Sequence, residues 1–404
     1  MSIRIFCRSL GIGAMLWNAF AAQSVLAAAT ADVSLPPGCE IATPRAGAKP
    51  AMKSVESVFP PVQLQIRTPV APIPFPSGGR NYLVYELHLQ NFAGDPLTLR
   101  GIEVTDADNG AEKLIAEFKE AHLHALLRPV GIESDDHRRL GGGQGAVAFL
   151  CLAFDGTAAV PGKLRHRVLL NKSTADGPVI EVRRTALPVL GPPVVGDGWN
   201  ARNGPHIDSH HRMGLLVAGG LPQISRRYAI DWRKSKQGAP LSGDARDLRS
   251  YYTYGEKLLA VADGTVVVAR DGFPDNVPRT EAGFETAVPV TLETVGGNMV
   301  VIDLGNGLFA SYAHMQPGSV RVKAGDRVKR GRLLGRIGNS GDSRWPHLHF
   351  QVTTTPDLFD SEGVPFLIDR YRAKDGDNAW EMRAQEFPLG PPVLIDFGGS
   401  AKEE

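Results

Sequence analysis

The stretch "WPHLHFQV", residues 345–352, sets two histidines one residue apart inside an apolar run. Successive side chains of a strand point to opposite faces, so His347 and His349 share one face and Leu348 and Phe350 take the other. Their Cα atoms would lie about 6–7 Å apart, close enough for both rings to act on one small object. The plain alternative is a pair of half-exposed surface imidazoles. The chain holds its own comparison in His122 and His124 of "EFKEAHLHALLR", which have the same spacing but no further histidine or isolated carboxylate in a strand nearby. The meaning of 345–352 therefore depends on its partners.

Six of the 11 histidines fall between residues 206 and 349: His206, His210, His211, His314, His347 and His349. "NMVVIDLGNGLFASYAHM" reads as a hairpin with strands over 299–304 and 308–314 around Gly305-Asn306-Gly307, and His314 ends its second strand. Tyr312 has the parity of His314, either to assist it or to pack as an ordinary aromatic. Asp231 sits in the apolar run Tyr228-Ala229-Ile230-Asp231-Trp232. A carboxylate there is costly unless something pairs with it, either Arg227 or Arg233 in a salt bridge or a cation. If "MGLLVAG" pairs with "SRRYAID" around "GGLP", Asp231 faces His210 or His211, and a one-residue register shift exchanges the two. Two histidines and one aspartate with a position left for water form a catalytic zinc arrangement, whereas a closed structural site would recruit cysteines.

Around this region, "YAID", "YGEKLLAVADGTVV", "GNMVVIDLGNGLFASYAHMQPG", "VKAGDRVKRGRLLGRIGNSGDS" and "PHLHF" occur in that order. Residues 200–355 thereby resemble the M23 (lysostaphin/LytM-type) zinc metallopeptidases, which cleave peptide cross-links of bacterial cell walls. The resemblance implies one Zn2+ per chain bound by Asp231 and His349, with His347 and His314 as the catalytic imidazoles. The family usually carries its first zinc-binding histidine four residues before the aspartate, and here that position is Arg227. "SHHR" is expected to replace it through His211, with His210 as the alternative; if neither reaches the metal, the site is defective. Gly338–Ser343 is expected to form a flexible wall of the cleft.

The implied function is hydrolysis of peptidoglycan peptides. A second reading keeps the fold without the metal, as a LytM-like regulator of another hydrolase; retention of four of the expected donors argues against it. A third takes "VKAGDRVKRGRLLGRI" as a lipoyl- or biotinyl-type carrier, but no exposed lysine hairpin of the "MKM" kind accompanies it.

Lys+Arg number 44 against 43 Asp+Glu, so there is no chain-wide basic field and nucleic-acid binding loses support. Arg4 and Arg8 precede a short apolar stretch and then small residues over Val25–Ala29, the pattern of a secretory signal peptide over 1–28. No later stretch reads as a membrane span, and the expected location is the periplasm or cell envelope. With Cys7 removed, Cys39 and Cys151 remain, either as one disulfide or with Cys151 as a buried thiol.

The expected fold is mainly β. Residues 29–60 read as an extended lead-in and 61–188 as a β-sandwich of the immunoglobulin kind, carried by alternating runs such as "VQLQIRT" and "YLVYELHLQ". Its expected role is recognition, including of a protein partner, or covering and positioning the domain downstream of it. The stretch 111–127 is compatible with helix or strand. "VLGPPVVGDGW", 189–199, marks a Pro/Gly-rich linker, 200–370 the antiparallel-β peptidase domain, and 371–404 a C-terminal tail whose end, "SAKEE", is expected to fray.

Overall fold

Alternation in "YLVYELHLQ" becomes the strand Arg80–Asn91, which sits inside a six-stranded sheet between Leu64–Arg67 and Gly145–Asp155. Leu83, Tyr85, Leu87 and Leu89 point from it into a core shared with a second sheet of five strands, which contributes Leu99, Ile102, Val104, Phe118, Leu164 and Val168. The two sheets form the expected sandwich. The opposite face of the same strand is buried too: Tyr82 and Val84 join a core with Trp199, Tyr228, Ile230, Trp232 and Phe350 from the second half of the chain. The first sheet is therefore covered on both sides, and period-two alternation understates its burial.

The structure is a computed structural model that describes residues 35–45, 61–110, 112–131, 135–281, 283–376, 378–389 and 393–399. The expected signal segment, Cys7 and most of the lead-in lie outside the described residues. Cys39 and Cys151 are disulfide-bonded, as directly paired residues of the parallel strands Cys39–Ile41 and Gly145–Asp155. The link spans 112 residues of sequence, which in chain-entropy terms is worth about 4–5 kcal/mol. Residues 113–119 are strand and Glu120–Leu126 is a short helix. His122 and His124 thus lie on different sides of a helix; His122 pairs with Glu40 at 3.0 Å and His124 stacks on His137.

Inside the sandwich the buried His166 Nε2 lies 2.8 Å from the Tyr85 hydroxyl. Burial pushes this imidazole down to about 3. The unfolded chain takes up the proton first as pH falls, so stability present above about pH 6.5 is lost between there and about 3. The slope in that window is about 1.4 kcal/mol per pH unit. Denaturant midpoints at pH 7 and 4.5 should therefore diverge in the wild type and less so in a His166→Leu/Tyr85→Phe double variant. Parallel losses in the two proteins would show that His166 is not responsible.

The second half is organised by a ten-stranded sheet whose adjacent strands are all antiparallel. Its centre runs Asn298–Gly305, Leu308–Met315, Leu348–Thr353, Ile230–Lys234 and Trp199–Arg202. The predicted hairpin is present, turning through Asn306 and Gly307, both at positive φ, which suits the twist of the flanking strands. The expected C-terminal tail is part of the sheet. Strands Tyr371–Asp375, Glu381–Arg383 and Val393–Asp396 extend it from Trp199–Arg202, and Tyr371, Ala373, Val393 and Ile395 enter its core. Their short length hid that role, and the "SAKEE" end lies outside the described residues. The 189–199 segment also packs closely, with Leu190, Val194 and Trp199 buried and Val189–Leu190 paired with Leu367–Ile368.

Candidate metal centre

Asp231 pairs directly with His349, and His349 with Ala313, across three neighbouring strands. Paired residues face the same way, so Asp231 and His349 share the sheet face away from the core that takes Ile230, Trp232, Leu348 and Phe350. His347, one residue before its strand, keeps the parity of His349. His314 does not have it. Strict alternation would turn it to the core side with Tyr312, but its backbone is left-handed (φ 63°) within an irregularity between Asn298 and Val300 on the partner strand. The bulge turns the ring back onto the site face, 4.8 Å from the His347 ring. Tyr312 stays in the core, packed on Phe350, and its hydroxyl accepts from the Val261 N–H.

His210 and His211 do not reach Asp231 through the hairpin drawn from the sequence. The paired strands there are only Leu216–Ala218 and Leu221–Gln223, and Asp231 pairs instead with Arg202 and His349. His211 arrives from a tight series of turns, with Ser209 N–H donating to His206 O and Met213 N–H to Ser209 O. Its Nε2 nevertheless comes within 3.5 Å of Asp231 Oδ1. His210 is exposed, with its ring beside that of His211. Arg227 points away from the site and pairs with Glu86 and Glu362.

The orientation of each imidazole is set by its far nitrogen. His211 Nδ1 donates to Ala229 O (3.1 Å), His314 Nδ1 to Ser340 O (2.8 Å) and His347 Nδ1 to Trp345 O (2.8 Å). A carbonyl only accepts, so each of these rings carries its proton on Nδ1 and leaves the Nε2 lone pair for the cleft. His349 is reversed. Gln351 donates its amide to Leu358 O, so its Oε1 faces His349 Nε2 at 2.9 Å and the bare nitrogen is Nδ1. That Nδ1 lies 3.1 Å from Asp231 Oδ1, and His347 Nε2 lies 3.4 Å from the same oxygen. The other carboxylate oxygen accepts from Asn203 Nδ2 at 2.6 Å.

The result is a crowd of ring nitrogens around one carboxylate oxygen. Burial would raise the Asp231 pKa, but positive charge on the neighbouring rings, His347 and His211 foremost, holds it well below the usual carboxylate range, so this carboxylate stays ionised against a cationic neighbour. Burial drives His211 and His314 well below the ordinary histidine value, so both are neutral at pH 7. Three ring nitrogens thus converge on a carboxylate oxygen, an arrangement that a cation, or a proton on a ring, relieves. Nitrogen and oxygen donors with no sulfur suit Zn2+ with an open position. The one group of three such residues among the described residues with donor atoms all within 4.8 Å is His210, His211 and Asp231, which leaves His349 out. His349 is the better third donor because Gln351 aims its lone pair, whereas no hydrogen bond among the described residues orients His210.

The wall over 338–343 is closely packed, which its glycines did not suggest. Asn339, Ser340 and Ser343 are buried, and Gly341 (φ +73°) lies so close that a Cβ would stand 2.4 Å from Gly297 N. The Ser340 carbonyl orients His314. Together these groups line a cleft of about 570 Å3 whose rim carries Arg226, Arg233, Arg344 and Trp345.

Residues 248–361 match the model of peptidase family M23. Over those residues the chain is similar to the M23 peptidases. The match takes in His314, His347 and His349 but begins after His211 and Asp231, the part of the chain where the family pattern departs. It also spans the Gly-Asp-x-Val-x-x-Gly segment, so the likeness there is to the peptidases and not to a carrier. Among curated relatives, a peptidoglycan DD-endopeptidase, ShyA of Vibrio cholerae, is 34% identical over 33% of this chain and 28% of its own length. The cell division protein DipM of Caulobacter vibrioides is 30% identical over 31% of this chain and 19% of its own. The chain thus spans less than a third of either relative. The lysostaphin catalytic domain from Staphylococcus simulans is 20% identical over 42% of this chain and 88% of that one, at a TM-score of 0.23; so loose an overlap carries no weight beside the strand pairings above.

Sequence reasoning around the M23 domain missed Asn203 and Gln351. Asn203 belongs to an Asn-Gly turn of ordinary appearance, and its φ of 56° and its contact with Asp231 arise only when the sheet assembles. Gln351 shares the parity of His349, a signal that was readable as a second polar residue on the site face. Among the described residues no helix is long and apolar enough to cross a membrane.

Proposed function

We propose that the chain is a zinc metalloendopeptidase that hydrolyses peptide cross-links of peptidoglycan, exported to the cell envelope. The observation that supports it best is the convergence of three imidazole nitrogens on Asp231 Oδ1, at 3.5, 3.4 and 3.1 Å. His211, Asp231 and His349 would hold one Zn2+, which supplies Lewis-acid chemistry, polarising a carbonyl and making water more acidic. The two remaining imidazoles do the proton work. His347, held by Trp345 O, presents a bare Nε2 that takes a proton from the attacking water and returns it to the leaving amine. His314, locked by Ser340 O, lies beside it and orients the reacting groups. Burial of both rings limits their contact with bulk water, and the cleft beside them has a volume of about 570 Å3. The names of the curated relatives support peptidoglycan as substrate. A regulator without metal would have no use for five aimed donors, so their retention favours the enzyme.

Two neighbouring substitutions separate the ligand choices. Zinc occupancy should fall from about one per chain to near zero in His211→Ala and stay within about twofold of wild type in His210→Ala. Metal analysis of the purified variants reads this. Equal occupancy in both would mean that "SHHR" supplies no ligand.

A further inference from the structure

The even-numbered face of strand Arg80–Asn91 carries an acid where its neighbours are apolar. Tyr82 and Val84 enter the core shared with the peptidase sheet, and Glu86, 4% exposed, comes next on that face. Its carboxylate meets two buried guanidinium groups. One is Arg212, which is ion-paired to Glu86 Oε1, donates to Tyr85 O at 2.9 Å and lies 5.0 Å over the Phe149 ring. The other is Arg227, bound through Nε at 3.2 Å and Nη2 at 2.8 Å, with Glu362 on its far side.

Both arginines border the same metal ligand. Arg212 is the residue after His211, and its side chain runs into the sandwich while the imidazole turns to the cleft. Arg227 lies two residues before Ala229, whose carbonyl holds His211 Nδ1. The Glu86 carboxylate therefore ties together the turn that carries the ligand and the segment that orients it. Because His211 sits in turns rather than in the sheet, strand pairing does not fix it as it fixes Asp231 and His349. We propose that Glu86 is a positioning residue for His211, so that the N-terminal sandwich completes the metal site of the peptidase domain. This rests on the zinc reading above. Arg227 thereby has a role of its own. It is no ligand, but it anchors the segment through which a ligand from elsewhere is held.

The test uses the metal-free full chain titrated with Co2+, whose visible absorption reports ligand number and geometry. Glu86→Gln should bind Co2+ at least ~10-fold more weakly than wild type, with a dimmer spectrum. Glu362→Gln removes the other carboxylate on Arg227 without touching Arg212, and should leave affinity and spectrum unchanged. Glu86→Gln leaves Arg212 without its carboxylate and Arg227 with Glu362 alone, so Glu86→Gln/Arg227→Met, which restores the charge balance, decides the matter if the single variant does not fold. Wild-type Co2+ binding in either Glu86 variant overturns the proposal, as does an equal loss in Glu362→Gln. Failure of the wild type itself to take up Co2+ would instead overturn the metal site, and this inference with it.

Discussion

Asp231→Ala should abolish zinc binding and peptide hydrolysis together while leaving the metal-free fold as stable as before, or more so. Its Oδ1 is the point on which His211, His347 and His349 converge, at 3.5, 3.4 and 3.1 Å. It is also the one anionic donor, and two neutral imidazoles alone hold Zn2+ weakly. The carboxylate is almost fully buried, with Arg233 no nearer than 3.8 Å and half-exposed. Replacing it removes a desolvated charge that the metal-free protein does not neutralise fully, which is why stability is not expected to fall. Zinc content and the melting temperature of the chelated protein check both halves. A variant that loses zinc only because it unfolds would give Asp231 a structural part instead.

His347→Ala should keep zinc near one per chain and lose ~100-fold or more in turnover, the usual scale for a removed acid or base. Its neighbour two residues on should behave otherwise: His349→Ala is expected to lose zinc and activity together. The division rests on which nitrogen each ring leaves bare. His349 offers Nδ1 at the directly paired position opposite Asp231, fixed by Gln351. His347 reaches the site from the end of a loop, through Nε2, and is held by Trp345 O. If both were ligands, four protein donors would leave no position for water, and the site would be structural. Zinc lost equally from both variants would establish that alternative.

Much of this site was legible in the sequence, and the reason is β parity. His347 and His349 on one face, Asp231 stranded in an apolar run, and the hairpin ending at His314 all come from side-chain alternation and turn residues. Parity fails where the backbone departs from the strand. His314 reaches the cleft only through a left-handed residue in a bulge, and no residue in "SYAHM" announces it. His211 comes near Asp231 from a series of turns, so the hairpin drawn for it does not form although the ring does approach the carboxylate. The C-terminal strands escaped notice because strands of three to five residues are too short to show a periodic apolar pattern. Burial on both faces of Arg80–Asn91 comes from a third layer, and only assembly of the two halves reveals it.

The most direct measurement is release of soluble peptides from purified sacculi by the full chain, before chelation, after chelation and after zinc is restored. Hydrolysis should be present at first, fall below ~1% of its starting value when zinc is stripped, and return with about one Zn2+ per chain. Undiminished hydrolysis in the stripped protein, or none from protein holding stoichiometric zinc, would contradict a zinc peptidase centred on His211, Asp231 and His349.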